Sequence, residues 1–590
     1  MNTDASQATL DALSAGRQDA YGLIAAPPGR AAANDERVRQ NWVLDPLQDA
    51  LFVIGTPLLV LAAALATFAV LGGVAATSLI IVAHIVFTVA HHLPTFIRIY
   101  GDVDLFKRFK WSFVLAPVVP IVFSAAVLGY INYKNYPVEY FLYLYIMLVL
   151  WDPWHFLRQH YGFMRIYDRH NAAPRRIAAR MDLALCVAWF AYIMLASGAW
   201  LAGLLQDLNA SVNVPLLAKL PSGTGPLLIA LARDAAILTT VAYGAYLFWC
   251  RHQGYFISIA KLLLIATTFG VMYVAYTPNE WLLSIAPDWT FKVGFAVVGV
   301  VHVTQYLAIV WRYNRTLARQ PERARAGWFR KLHGRGGWIV GIGYVLLCVA
   351  YGGVITTERQ NRWLMSGLLA VGFTSTLLHY YFDGFIWKMR HRQNRENLLL
   401  DAAPSVRRRH SGAHSWWSSF KTIAPGAVLL RQIAYFGVPM LLLSVGALSV
   451  WSAPAGTYID HMNRAQALSQ QGQLPHATAE AMQAYRDMQE QLPLARQLLE
   501  LDPTAAHEAE LAFLIYNHSY YERLLLPAVQ GRAVRDADKT AHLQAVTDAV
   551  RHLDHALARG QSLAHRGRDA MTRDDGEQTL ASWRRIAHVD

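Results

Sequence analysis

The chain has 590 residues, 54% of them hydrophobic, 12% aromatic and only 16% charged, with a mean hydropathy of +0.23 and a formal net charge of +13. A soluble chain carries about 25% charged residues, so this deficit, combined with long apolar runs, points to a polytopic membrane protein. It excludes a secreted disulfide scaffold, a disordered regulator and a cytosolic nucleic-acid binder, and Cys186, Cys250 and Cys348 lack the spacing of a disulfide or zinc site.

Residues 1–45 form a polar segment containing Pro27, Pro28 and Gly29. It has no short apolar core with a cleavage site, and so reads as a cytoplasmic N-terminus without a removable signal peptide. Over residues 46–452, apolar stretches of about 20 residues predict roughly eleven spans. They fall near 48–71, 75–98, 111–131, 138–164, 181–205, 227–250, 256–276, 290–312, 337–357, 363–388 and 426–451. Alternate loops are basic, among them those holding Arg98, Lys107 and Arg108, Arg165 to Arg180, Arg312 to Arg335, and Lys388 to Arg409. The loops between carry almost no positive charge; one holds Glu280 and Asp288. Basic loops translocate poorly, which places the N-terminus inside and the last span's far end outside, in the manner of a bacterial inner (cytoplasmic) membrane protein.

After residue 456 the chain turns polar, with helical apolar spacing in Leu511, Leu514, Val546, Val550, Leu553 and Leu557. The predicted class is therefore all-α: a membrane helix bundle of about eleven spans, followed by a helical soluble domain over 456–590 on the periplasmic face.

The informative residues are ionisable groups inside spans, where charge is costly and function is the default reading. They are His84, His91 and His92 in the second span, His155 and His160 in the fourth, His302 in the eighth and His379 in the tenth. All lie on even-numbered spans, which run in one direction. His91, His155, His302 and His379 stand seven to ten residues before Arg98, Arg165, Arg312 and Lys388, a depth of about 10–15 Å at the helical rise. Shared direction and shared depth predict convergence. His84 and His91 are seven residues apart on one helix face, and Asp383 follows His379 by one turn. Asp152 precedes His155 across Pro153, which can kink the helix; Gln305 is a weaker candidate.

Several neutral imidazoles with one or two carboxylates in a dry pocket make a transition-metal site. The expected ligands are His84, His91, His92, His155, His160, His302, His379 and Asp383. Asp152 and Asp383 are the candidate catalytic carboxylates or acceptors fixing His tautomers. Non-haem iron, mononuclear or dinuclear, suits such a set; a b-type haem between two of the His is the alternative, and a transporter relaying protons or metal is a further one. Trp151, Trp154, Tyr380, Tyr381 and Trp387 would shape an apolar pocket or anchor the interface.

This layout of single His on several spans resembles the integral-membrane histidine-cluster oxygenases, the fatty-acid desaturases and hydroxylases and the Brp/Blh-type carotenoid-cleaving enzymes. The spacings His84-x6-His91-His92 and His155-x4-His160 differ from the HxxxH and HxxHH boxes of the desaturases. The resemblance implies non-haem iron, dioxygen and a hydrophobic, lipid-like substrate to be hydroxylated, desaturated or cleaved. Membrane lipids and a cytoplasmic electron donor are the expected partners, with no nucleic acid.

Overall fold

The computed structural model describes residues 40–169, 171–319, 333, 338–356, 360–386, 425–452, 457–559, 563 and 573–587, and no strand occurs among them. Residues 1–39, the basic stretches 320–332 and 387–424, and Trp387 lie outside the described residues.

The helical body begins with an anchor. The buried Asp49 carboxylate accepts hydrogen bonds from the backbone N–H of Val43 (2.7 Å) and Leu44 (2.8 Å) and from the Tyr167 hydroxyl (2.9 Å). The segment Pro46–Ile54 then bends by 51° into α1 (Thr56–Leu71). Gly72, at φ +75°, joins α1 to α2 (Gly73–Ala90) in a conformation that favours glycine. After a break at His91 the chain continues as α3 (His92–Gly101), and α4 (Val118–Tyr133) follows.

The stretch expected as one span over 138–164 divides into a 3-10 segment, Val138–Tyr145, and α5 (Ile146–Tyr167), which contains Pro153. That expected over 181–205 also divides, into α6 (Arg175–Ala196) and α7 (Ala199–Val212), at Gly198 with φ +67°. The succession α8 (Thr224–His252), α9 (Ile259–Tyr276), α10 (Phe291–Ala318), α11 (Trp338–Thr356), α12 (Arg362–Ile386) and α13 (Val438–Trp451) completes the apolar portion.

Among the described residues seven helices are long and apolar enough to cross a bilayer: Gly73–Gly101, Lys110–Tyr133, Arg175–Ala196, Thr224–His252, Ile259–Tyr276, Phe291–Ala318 and Pro425–Trp451. The bent pair Pro46–Ile54 and Thr56–Leu71 makes an eighth if counted as one span. Helices α5 and α12 are long but fall outside this set because of the polar residues they carry, Asp152, His155, Arg158, Gln159 and His160 in α5 and a buried polar side in α12. Thr374, Ser375, Thr376, His379 and Asp383 of α12 are all buried, so its polar side faces protein.

Of the seven helices long and apolar enough to cross a bilayer, α10 is the most buried, 67% over its apolar window. Close approaches seat its neighbours. A Cβ on Gly294 would strike the Ala275 carbonyl of α9, and one on Gly352 of α11 would strike the Val86 carbonyl and Ala90 of α2. Gly352→Ala is therefore expected to separate α2 and α11 and to cost about 1–3 kcal/mol, the range for overpacking, read as a lowered thermal midpoint in detergent.

Where the end of α5, the first half of α6 and the start of α9 meet lies a buried ion network. Lys261 Nζ, fully buried, contacts Asp168 Oδ1 at 2.9 Å and Asp182 Oδ1 at 3.2 Å. Arg165 Nη1 contacts Asp168 Oδ2 at 3.1 Å and Asp182 Oδ2 at 2.6 Å. Tyr243 donates to Asp182 (2.8 Å) and Asn171 to Asp168 (2.8 Å). Two cations and two carboxylates thus tie α5, α6, α8 and α9 together with their charges balanced.

Beyond residue 457 the helices α14 (Tyr458–Gln470), α15 (Leu474–Leu501), α16 (Ala505–Tyr520), α17 (Asp536–Ala558) and α18 (Arg573–Ala587) have a separate apolar core. It includes Met488, Leu514, Val546, Leu553 and Trp583. The end of α15 reaches the apolar portion: Leu498 and Leu501 pack with Ala202, Leu205 and Leu217. Gln497 Nε2 donates to the Leu220 carbonyl at 2.7 Å, and Glu500 Oε1 accepts from the Gly223 N–H at 2.6 Å.

Candidate metal centre

Four imidazoles from four separate stretches of chain meet at one point. His91 at the junction of α2 and α3, His155 on α5, His302 on α10 and His379 on α12 each bring one ring nitrogen within 4.8 Å of the others. The local sequence explains each placement. His91 sits where α2 breaks, His155 follows Pro153 by two residues, and His302 and His379 lie on the buried sides of α10 and α12.

His379 Nε2 is 3.0 Å from His91 Nε2 and 3.2 Å from His155 Nε2. Ligands about 2.0–2.1 Å from a common ion stand about 3 Å apart, so these separations fit neighbouring imidazoles around one ion. The rings are packed edge to face, their centroids 4.4 Å apart for His91 and His379, 4.9 Å for His155 and His379, 5.0 Å for His155 and His302, and 5.2 Å for His91 and His302. His302 is buried, and neither of its ring nitrogens has a hydrogen-bond partner among the described residues. A buried polar group without a partner is costly, and a bound cation relieves that cost.

A hydrogen-bond chain sets the tautomer of His379. The Tyr306 hydroxyl donates to Asp383 Oδ1 at 2.9 Å, because an ionised carboxylate only accepts. Tyr306 then accepts from Thr95 Oγ1, with which it is hydrogen-bonded, and Thr95 accepts from His379 Nδ1 at 2.9 Å. With its proton on Nδ1, His379 presents the lone pair of Nε2 to the other three rings, as metal-binding His do when an outer partner holds the second nitrogen. Asp383 Oδ2 stands 3.7 Å from His155 Nε2 and 3.8 Å from His379 Nε2, at the edge of the cluster. It can therefore both orient the chain and approach an ion.

The other expected ligands lie around this group of four. His92 stacks on His379, centroids 4.9 Å apart, and its Nδ1 is 3.0 Å from Ser375 Oγ, itself 2.9 Å from the Tyr351 hydroxyl. His160 Nδ1 is bonded to the Phe156 carbonyl of its own helix at 3.0 Å. His84 rests against Gly299, where any Cβ would collide with its ring. It shares a helix face with His91 but is seven residues away, about 10 Å along the axis, which keeps it out of the group. Asp152 accepts from the Tyr380 hydroxyl at 3.0 Å. Gln305 donates to the Val53 carbonyl at 2.8 Å and accepts from Gln159 at 3.2 Å, and so serves as a cross-link.

Thr95 and Tyr306 carry no sequence signal beyond their registers: Thr95 is four residues after His91, and Tyr306 four after His302. Tyr306→Phe is expected to keep the ring packing against His91 and His379, at 5.3 and 5.2 Å, while removing the hydroxyl from the chain. Losing such an outer partner costs about 10–100-fold in metal affinity, which chelator competition would measure.

No known family model, no curated protein and no solved structure matches this chain.

Proposed function

We propose that the chain is an integral-membrane, metal-dependent oxidoreductase that holds non-haem iron through His91, His155, His302 and His379, with Asp383 beside them, and acts on a hydrophobic substrate. The observation that carries this reading is the convergence of four imidazoles, each with a ring nitrogen within 4.8 Å of the others, with the His379 lone pair directed inward at 3.0 Å from His91 Nε2 and 3.2 Å from His155 Nε2. Rings this close leave no slot for a porphyrin between them, which favours a bare ion over haem. All-nitrogen coordination with a carboxylate at hand suits iron, and also zinc and copper. The buried setting and the resemblance to the histidine-cluster oxygenases favour iron.

Bound iron supplies one-electron chemistry and an open coordination position. The protein's own groups do the rest. The Tyr306–Thr95 chain orients His379, Asp383 balances charge at the cluster's edge, and the helices exclude water from the reacting atoms. Tyr380 holds Asp152 beside His155, where the carboxylate can position or exchange a proton with a substrate.

In the same reading the apolar helices form about eleven spans of a bacterial inner membrane, and residues 456–590 make a soluble helical domain on the periplasmic side. Alternation of basic loops supports that orientation. The cluster then lies nearer the cytoplasmic face, within reach of an electron donor there. Purification followed by an absorption spectrum and metal quantification tests the proposal. About one iron per chain without a Soret band is expected; a Soret band, or a chain free of metal when isolated from iron-replete cells, would overturn it.

A further inference from the structure

A cavity of about 30 Å³ adjoins the cluster. His91 and His302 belong both to its wall and to the group of four. Phe156, Phe190, Met194, Phe295 and Val298, from α5, α6 and α10, supply much of the remaining wall. Thr88, Asp152 and Tyr276 also line it, so the wall is apolar over most of its area and not throughout. A single water needs about 10–15 Å³ measured in this way, and a mainly apolar cavity favours apolar guests such as xenon. This one is too small for a lipid chain and large enough for a diatomic molecule.

We propose that this cavity is a dioxygen-holding site, which stores the co-substrate against His91 and His302 before it reaches the metal. The inference rests on the proposed oxygen-activating function and adds the place at which the gas waits. His84 also lines the cavity and lies where a Cβ on Gly299 would have to go. The absence of a side chain at residue 299 is therefore what lets His84 keep its place in the wall, and a side chain there would displace the ring and reshape the cavity. His84, outside the group of four, acts here as a wall.

The geometry gives two ways to fill the space without altering a member of the group. Gly299→Ala drives the His84 ring toward the cavity from α10, and Phe190→Trp enlarges the wall from α6. The test uses the full-length, iron-loaded, reduced protein in detergent and nitric oxide as the probe, mixed by stopped flow. Both variants are expected to retain wild-type iron content while the nitric oxide association rate falls at least tenfold. An unchanged rate in a variant that folds and holds iron would overturn the storage site.

Xenon distinguishes failure of this inference from failure of the proposed function. Crystals of the metal-free protein under xenon pressure are expected to show one atom bordered by Phe190, Val298 and His302, whatever the metal content of the native chain. Ordered waters in that place would overturn the site even if iron is present. Absence of iron from the native protein would overturn the function while xenon still reports on the cavity.

Discussion

Replacement of His379 by alanine is expected to leave the protein folded and without stoichiometric metal. His379 is the hub of the cluster: its Nε2 lies 3.0 Å from that of His91 and 3.2 Å from that of His155, and its Nδ1 is tied to Thr95. The substitution removes one of four donors and also disconnects the chain from Asp383 through Tyr306. Loss of an outer partner alone costs about 10–100-fold in metal affinity, so loss of the hub should exceed about 100-fold. Metal content after gel filtration measures the effect directly. His302→Ala should act in the same direction, because both ring nitrogens of His302 await a partner. Stoichiometric metal in both variants would sink the site. The fold should survive, since the vacated space lies among groups brought together at some cost, and removing an imidazole relieves crowding.

Lys261→Met is expected to be the most destabilising single change outside the cluster. The methionine fills nearly the same space, so the loss isolates the charge. Asp168 and Asp182, whose side chains are fully buried, would retain Arg165 alone as a paired cation among the described residues. Removing one partner of a buried ion pair costs about 3–5 kcal/mol because the remaining charge is left uncompensated. Addition of Asp182→Asn to Lys261→Met restores neutrality around Arg165 and Asp168, and should recover much of the loss. Thermal unfolding of the wild type and the two variants in one detergent checks this. Equal midpoints for the single and double variants would show that packing, and not charge balance, holds the network.

The histidines at common depth were legible because two simple rulers, the direction of each span and the distance to a basic loop, act on every helix alike. Those rulers measure only the axial coordinate. They could not separate His91 from His92, which share a depth but leave the helix in different directions, nor show that Phe156 claims His160. Thr95 and Tyr306 were invisible because threonine and tyrosine are ordinary residues in apolar helices; only the neighbouring helix gives their hydroxyls a task. Apolarity marked the helices long and apolar enough to cross a membrane and under-marked α12, whose Ser375, His379 and Asp383 are spent on the interior. The breaks at Gly198 and before Ile146 were hidden for a related reason: composition stays apolar across both, while the helix is interrupted at one and changes from 3-10 to α at the other.

Glu500 gives the meeting of the C-terminal helices with the rest of the chain a meaning beyond contact. Helix α8 begins at Thr224 after Gly223, with no side-chain cap from its own sequence. Glu500 takes that role from a distance of 277 residues, accepting from the Gly223 N–H, with Ser222 Oγ 3.3 Å from its other oxygen. A carboxylate at a helix start satisfies an open donor and complements the helix dipole. Gly198 lies so close beneath the Leu501 carbonyl that a side chain there would be excluded. Cutting the chain near residue 456 therefore does not yield two finished pieces. One fragment would lack the cap of a membrane-length helix and the other would expose the apolar end of α15, so each half completes the other where they meet.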